Sequence, residues 1–199
     1  NMGPCNVDPF GGEPKTGVCG ADADTIVARG FLRTIAAGTS AHSDHGRSVA
    51  ELVIATGKGE APGYLIKDEK KLRAVALSLG IDPAGKSKED LAIAVGEMAL
   101  GEYGKSHGHQ IMSNRAPAPR QKIWDKLGIR PRAIDREVVE AMHRTTMGVD
   151  QDYHSLLLHG QRVSLADGWG GSMLGTELQD VLFGTPKPVL GEINLGVLK

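Results

Sequence analysis

The sequence predicts a mainly α-helical domain preceded by an irregular, cysteine-bearing loop. Apolar residues recur at three- and four-residue intervals in one stretch after another beyond Ala21. The first twenty residues carry Gly3, Pro4, Pro9, Gly11, Gly12, Pro14, Gly17 and Gly20, which no long helix or strand tolerates. No series of runs alternates apolar and polar residues as the strands of a sheet do.

Residues 1–20 therefore form a wrapped loop, bounded near its ends by Cys5 and Cys19, the two cysteines of the chain. A first helix spans Ala21 to Gly38, with Asp22 and Asp24 in the first turn, where the helix dipole favours acids. Its apolar positions are Ile26, Val27, Phe31, Leu32 and Ile35, with Arg29 and Arg33 on a separate basic ridge and Gly38 as the stop. A second helix covers about Ser40 to Thr56, and a third Asp68 to Leu79. The fourth starts at Ser87, whose hydroxyl and Asp90 resemble a capping box, and runs to about Tyr103. Gly104 to Arg120 has no period and reads as connection and surface. Helical spacing returns over Arg120–Leu127, Asp135–Arg144, Asp150–Gly160, Val163–Asp167 and Thr176–Phe183. Asp167-Gly-Trp-Gly-Gly-Ser between the last two reads as a glycine-rich bend, and Val189–Leu198 as extended chain.

A length of 199 residues suits one domain. Lys and Arg number 23 against 24 Asp and Glu, so no one-signed surface invites nucleic acid. No apolar run approaches the roughly 18 residues of a membrane span, and no targeting segment is recognisable, so a soluble, cytoplasmic protein is expected. The first residue, Asn1, and the uncapped last residues predict a piece of a longer chain.

Few residue patterns carry chemistry. Cys5 and Cys19, 14 positions apart, suit ordinary buried thiols or half of a metal site, since a cluster or zinc site takes four ligands. His42 and His45 share one helix face about 4.5 Å apart along the axis. They suit a hydrogen-bonded pair beside Asp44 or a route for protons. His107 and His109 read as a solvated loop, and His143, His154 and His159 as satisfied surface or core histidines. Gly104-Lys105-Ser106 is no phosphate loop, because Ala99 stands where the first Gly is required. Asp167, at the glycine-rich bend, suits a site wall as well as a turn.

Longer strings carry a resemblance. Gly-Pro-Cys5-Asn-Val-Asp-Pro-Phe-Gly, Lys15-Thr-Gly-Val-Cys19-Gly-Ala-Asp-Ala-Asp-Thr-Ile-Val-Ala-Arg29 and Ile35-Ala-Ala-Gly-Thr-Ser-Ala-His42-Ser-Asp-His45-Gly-Arg47 come first. His143-Arg-Thr-Thr-Met-Gly-Val-Asp150, Leu156-Leu-Leu-His-Gly160, Ser164-Leu-Ala-Asp-Gly-Trp-Gly-Gly-Ser172 and Leu182-Phe-Gly-Thr-Pro186 continue in the same order. Together they resemble the catalytic subunit of the anaerobic nickel-iron-sulfur carbon monoxide dehydrogenases, over nearly the whole chain.

The resemblance implies a helical domain of the carbon monoxide dehydrogenase and hybrid-cluster protein type. Residues 1–20 would be an incomplete iron-sulfur loop, 21–188 the helical domain, and 189–199 the start of a connection to a Rossmann-like domain. Cys5 and Cys19 would be two of four thiolates on a 4Fe-4S relay cluster. His42 would be the histidine that approaches a nickel-iron-sulfur cluster held by later residues, and His45 the next rung of a histidine ladder. Ser48 and Glu51 stand where further rungs are expected, and Asp167 resembles an acidic residue near the catalytic cluster. The implied reaction converts CO and water to CO2, two protons and two electrons, with ferredoxin or a similar acceptor, a homodimer, and an acetyl-CoA synthase as a further partner. A hybrid-cluster reductase and a noncatalytic iron-sulfur electron-transfer protein are the alternatives.

Overall fold

The structure, a computed structural model, describes residues 7, 8 and 10–187, so Cys5 and the stretch 188–199 lie outside it. Among the described residues there are helices and no strands. The seven α-helices are α1 (Ala23–Gly57), α2 (Glu69–Ser78), α3 (Lys88–Gly104), α4 (Ala118–Leu127), α5 (Ile134–Thr146), α6 (Tyr153–Ala166) and α7 (Gly175–Phe183). A 3-10 turn, Ile111–Arg115, precedes α4, and a π-helical segment, Asp167–Leu174, joins α6 to α7.

Helix α1 is the axis of the molecule, touched by α3, α5, α6, α7 and the π-helical segment. Its start is set by Asp22, whose carboxylate accepts from the Thr25 backbone N–H at 2.8 Å. Ser87 starts α3 by accepting from the Asp90 N–H at 3.0 Å, and its hydroxyl donates to the Asp90 carboxylate at 2.6 Å.

Two apolar cores flank different parts of α1. The larger gathers Val49, Ala50 and Val53 with Leu72, Val75, Leu91, Val95, Met112, Leu174, Leu178 and Leu182. The smaller packs Ala28, Leu32 and Ala36 against Ala141, Leu156 and Val163. Fully burying one such aliphatic side chain contributes about 1.5–3 kcal/mol.

Several expectations are corrected. Gly38 does not stop a helix; α1 runs 35 residues through it. A glycine stop works by turning left-handed, and Gly38 is not among the positive-φ glycines, while Ala36, Thr39 and Ser43 are buried on either side of it. The basic ridge is absent at Arg29, which is 2% exposed, and Val27 and Phe31 are exposed instead of packed. Residues 104–120 are more than surface connection, because the 3-10 turn buries Met112 in the larger core. The break expected between Gly160 and Val163 does not occur, and α6 starts at Tyr153. The glycine-rich bend is helical: Gly170 and Gly171 leave room for neighbours, a Cβ on Gly170 meeting Gln110 Nε2 at 2.5 Å.

Buried charge ties the second half together. Glu137 of α5 accepts from Arg132 Nε at 2.7 Å and Arg162 Nε at 2.8 Å, and pairs with His159 Nε2 at 3.1 Å. Burial pushes the Glu137 carboxyl up, but the Arg132 and His159 hydrogen bonds and the Arg162 charge outweigh it and hold the group well below the usual range. His159 is thus a satisfied core histidine at Nε2, as one of its two expected readings had it.

Candidate functional site

Helix α1 brings chemistry to two places. At the first, His42 and His45 stand on its exposed side. The His42 ring reaches the π-helical segment, where Nδ1 lies 2.7 Å from Asp167 Oδ1, a contact spanning 125 positions of sequence. A carboxylate only accepts, so Nδ1–H donates, and in the neutral ring Nε2 is then the basic nitrogen. The His42 side chain is 54% exposed and that of Asp167 22%, so water reaches the pair.

The close approach depends on glycine. A Cβ on Gly171 would lie 2.7 Å from His42 Cβ and 2.8 Å from Asp167 Oδ1. The π-helical register sets both residues: the segment begins at Asp167 and continues past Gly171. Such segments inside helices frequently occur at functional positions. His45 is not in contact with Asp167; its Nε2 accepts from the Gln179 amide nitrogen at 2.8 Å.

At the second place, near the start of α1, Cys19 is exposed at the end of the irregular loop. Arg29 Nη1 lies 3.6 Å from its sulfur. The same guanidinium donates through Nε to the Asp150 carbonyl at 3.1 Å and through Nη2 to the Gly148 carbonyl at 3.2 Å. Gln151 Nε2 donates to the Cys19 carbonyl at 2.7 Å, and Thr25 Oγ1 to the Gln151 carbonyl at 3.0 Å. Gly148 makes the turn that presents these carbonyls, with φ 67° in the left-handed region.

Residues 1–199 match the Prismane/CO dehydrogenase family. The chain belongs to that family. It is 54% identical over 198 residues to carbon monoxide dehydrogenase 1 of Methanosarcina acetivorans, covering 100% of this chain and 32% of that protein. Among solved structures, a nickel-free carbon monoxide dehydrogenase from Thermococcus sp. AM4 superposes with a TM-score of 0.90 at 55% identity, over 100% of this chain and 32% of the other. An acetyl-CoA synthase/carbon monoxide dehydrogenase, solved with NiZn[Fe4S4] and NiNi[Fe4S4] clusters, gives 0.87 at 36% identity over 94% of this chain and 28% of that one. The chain thus spans about a third of the length of these relatives.

The family's helical fold is the one the sequence predicts. A 4Fe-4S cluster takes thiolate ligands. Cys19 suits one corner: it is exposed, and the cation beside it favours a sulfur that carries negative charge. Among the described residues no group of three or more His, Cys, Asp and Glu side chains comes together to hold a metal. Cys5, the other thiolate nominated from sequence, lies outside the described residues.

Of the residues nominated from sequence, the structure joins His42 to Asp167 and leaves His45 with a different partner. Sequence reasoning missed Gln179, Gly171 and the inward turn of Arg29. Helical spacing places Gln179 on α7 but gives no sign that it meets α1.

Proposed function

We propose that this chain is the helical part of a carbon monoxide dehydrogenase, converting CO and water to CO2, two protons and two electrons. The observation that carries the reading is the His42–Asp167 pair, held at 2.7 Å in a chain of this family. When bound, a nickel-iron-sulfur cluster supplies the bond making at carbon and 4Fe-4S clusters supply electron conduction.

This chain's own residues handle protons and anchor one cluster. Asp167 holds His42 in one tautomer, so that Nε2 takes the proton and the carboxylate stabilises the resulting imidazolium. His45, one turn on along α1, receives the proton next. Its present contact with the Gln179 amide nitrogen suits the neutral ring, and the amide turns its oxygen to the ring once Nε2 is protonated. Ser48 and Glu51 continue the same face toward solvent in place of further histidines. Cys19, with Cys5, serves as thiolate ligand of the relay cluster.

The remaining assignments follow from the same reading. Residues 1–20 form the cluster loop, 21–188 the helical domain and 189–199 the connection to a Rossmann-like domain. The working enzyme is an anaerobic, cytoplasmic homodimer that passes electrons to a ferredoxin-type acceptor, with an acetyl-CoA synthase as a further partner. No helix among the described residues is long and apolar enough to cross a membrane.

Metal analysis of the full-length, anaerobically purified protein, with CO-dependent dye reduction, tests the proposal. Nickel together with iron, and reduction that requires CO, is the expected result. Iron without nickel, and no CO-dependent reduction after nickel loading, would overturn it.

A further inference from the structure

Arg29 poses a physical problem that its neighbours only partly solve. The residue as a whole is 2% exposed, and a buried cation needs an opposite charge as well as hydrogen-bond acceptors. Its partners are the carbonyls of Gly148 and Asp150 and the sulfur of Cys19. The nearby Asp150 carboxylate is taken by Arg144, at 3.0 Å from Nε. Among the described residues no carboxylate pairs with Arg29. A neutral thiol leaves this charge without a counterion, whereas a metal-bound thiolate provides one.

We propose that Arg29 is a positioning residue of the electron path: it sets the reduction potential of the cluster ligated by Cys19 and locks the Cys19 loop to the 148–151 turn. The proposal rests on the reading of Cys19 as a cluster ligand. The step concerned moves one electron, supplied by CO oxidation, onto the cluster and then out to a low-potential acceptor. Arg29 keeps its proton throughout, and no bond to it forms or breaks. Reduction adds negative charge beside a fixed cation and an N–H donor aimed at sulfur, so the reduced cluster is favoured and the potential is raised. The fork also fixes the sulfur in space. One guanidinium spans the loop and two carbonyls some 120 positions away, and Gln151 clamps the Cys19 carbonyl from the other side.

The test is a redox titration followed by electron paramagnetic resonance on the full-length, anaerobically purified protein, comparing wild type with Arg29→Gln and Arg29→Lys. At unchanged iron content, Arg29→Gln is expected to shift the relay midpoint to more negative potential, with Arg29→Lys between it and wild type. A purely structural arginine would leave the midpoint where it was, and equal midpoints in all three proteins overturn the proposal. Should either variant lose iron or fail to fold, wild type carrying 15N-arginine decides. A guanidinium nitrogen coupling in the nuclear double resonance spectrum of the reduced cluster is expected, and its absence overturns the proposal. Cys19→Ser separates the underlying reading: unchanged iron and spectra there would remove Cys19 as a ligand, whatever the outcome at Arg29.

Discussion

Two places on α1, on different sides of the helix, use charge in opposite ways. Arg29 is buried, held by carbonyls and a sulfur, and permanently charged; His42 is about half exposed and held by one carboxylate. Thirteen residues at a 1.5 Å rise set them about 20 Å apart on one rigid helix. A buried guanidinium does not exchange its proton at ordinary pH, so it acts as a fixed field. Under the proposed function, α1 divides the work: a dry, fixed charge beside the electron path and a water-exposed ring on the proton path.

The contrast breaks most sharply at the exposed His42 site. His42→Ala in the full-length enzyme is expected to lower CO-dependent turnover about 100-fold or more, in the range of a lost acid–base group. Full turnover would remove His42 from the mechanism. Asp167→Asn keeps the size of the partner and removes its charge. A fall of about 10- to 100-fold in turnover, with cluster spectra retained, is expected for loss of an orienting carboxylate. Gly171→Ala probes the same pair without touching either member. The new Cβ would sit 2.7 Å from His42 Cβ, so turnover should fall about 10-fold by misplacement alone, and an unchanged rate would mean that the pair's spacing is unimportant.

A smaller and different effect is expected away from both sites, at the buried network that carries α5 and α6. Glu137→Gln leaves Arg132, Arg162 and His159 facing a neutral amide, and should cost about 3–5 kcal/mol in unfolding free energy, as broken buried pairs do. Acid should act on the same network. Glu137 is held below its ordinary range in the fold, so its contribution is complete above about pH 4.3 and lost as pH falls further. His159 is pushed down chiefly by burial, so below about pH 6.5 the unfolded chain takes up a proton that the folded one refuses. Both effects lower stability on acidification, that of His159 beginning first. The melting temperature should decline from pH 7 to pH 4, and His159→Gln should flatten the part near pH 6.5; a level profile in the wild type would contradict this.

These regions were unequally legible in the sequence. Helical spacing and the capping residues Asp22 and Ser87 located most helices, because those signals are local. Gly38 and Gly171 misled for a shared reason: glycine marks either a turn or a close approach, and only the neighbours decide which. Gly38 continues a helix supported on both sides, and Gly171 makes room for His42. Arg29 looked like surface because its compensation comes from backbone carbonyls of a distant turn, which carry no side-chain signature. His42 and Asp167 were nominated through resemblance. Their contact was not readable, since no periodicity connects residues 125 apart.

The most direct test of two independent sites on one helix is the relay-cluster midpoint potential, measured in one series on wild type, Arg29→Gln and His42→Ala. A negative shift in Arg29→Gln is expected, with the wild-type value in His42→Ala even though that variant has lost most of its turnover. A midpoint that moves in His42→Ala, or fails to move in Arg29→Gln with its iron intact, would contradict it.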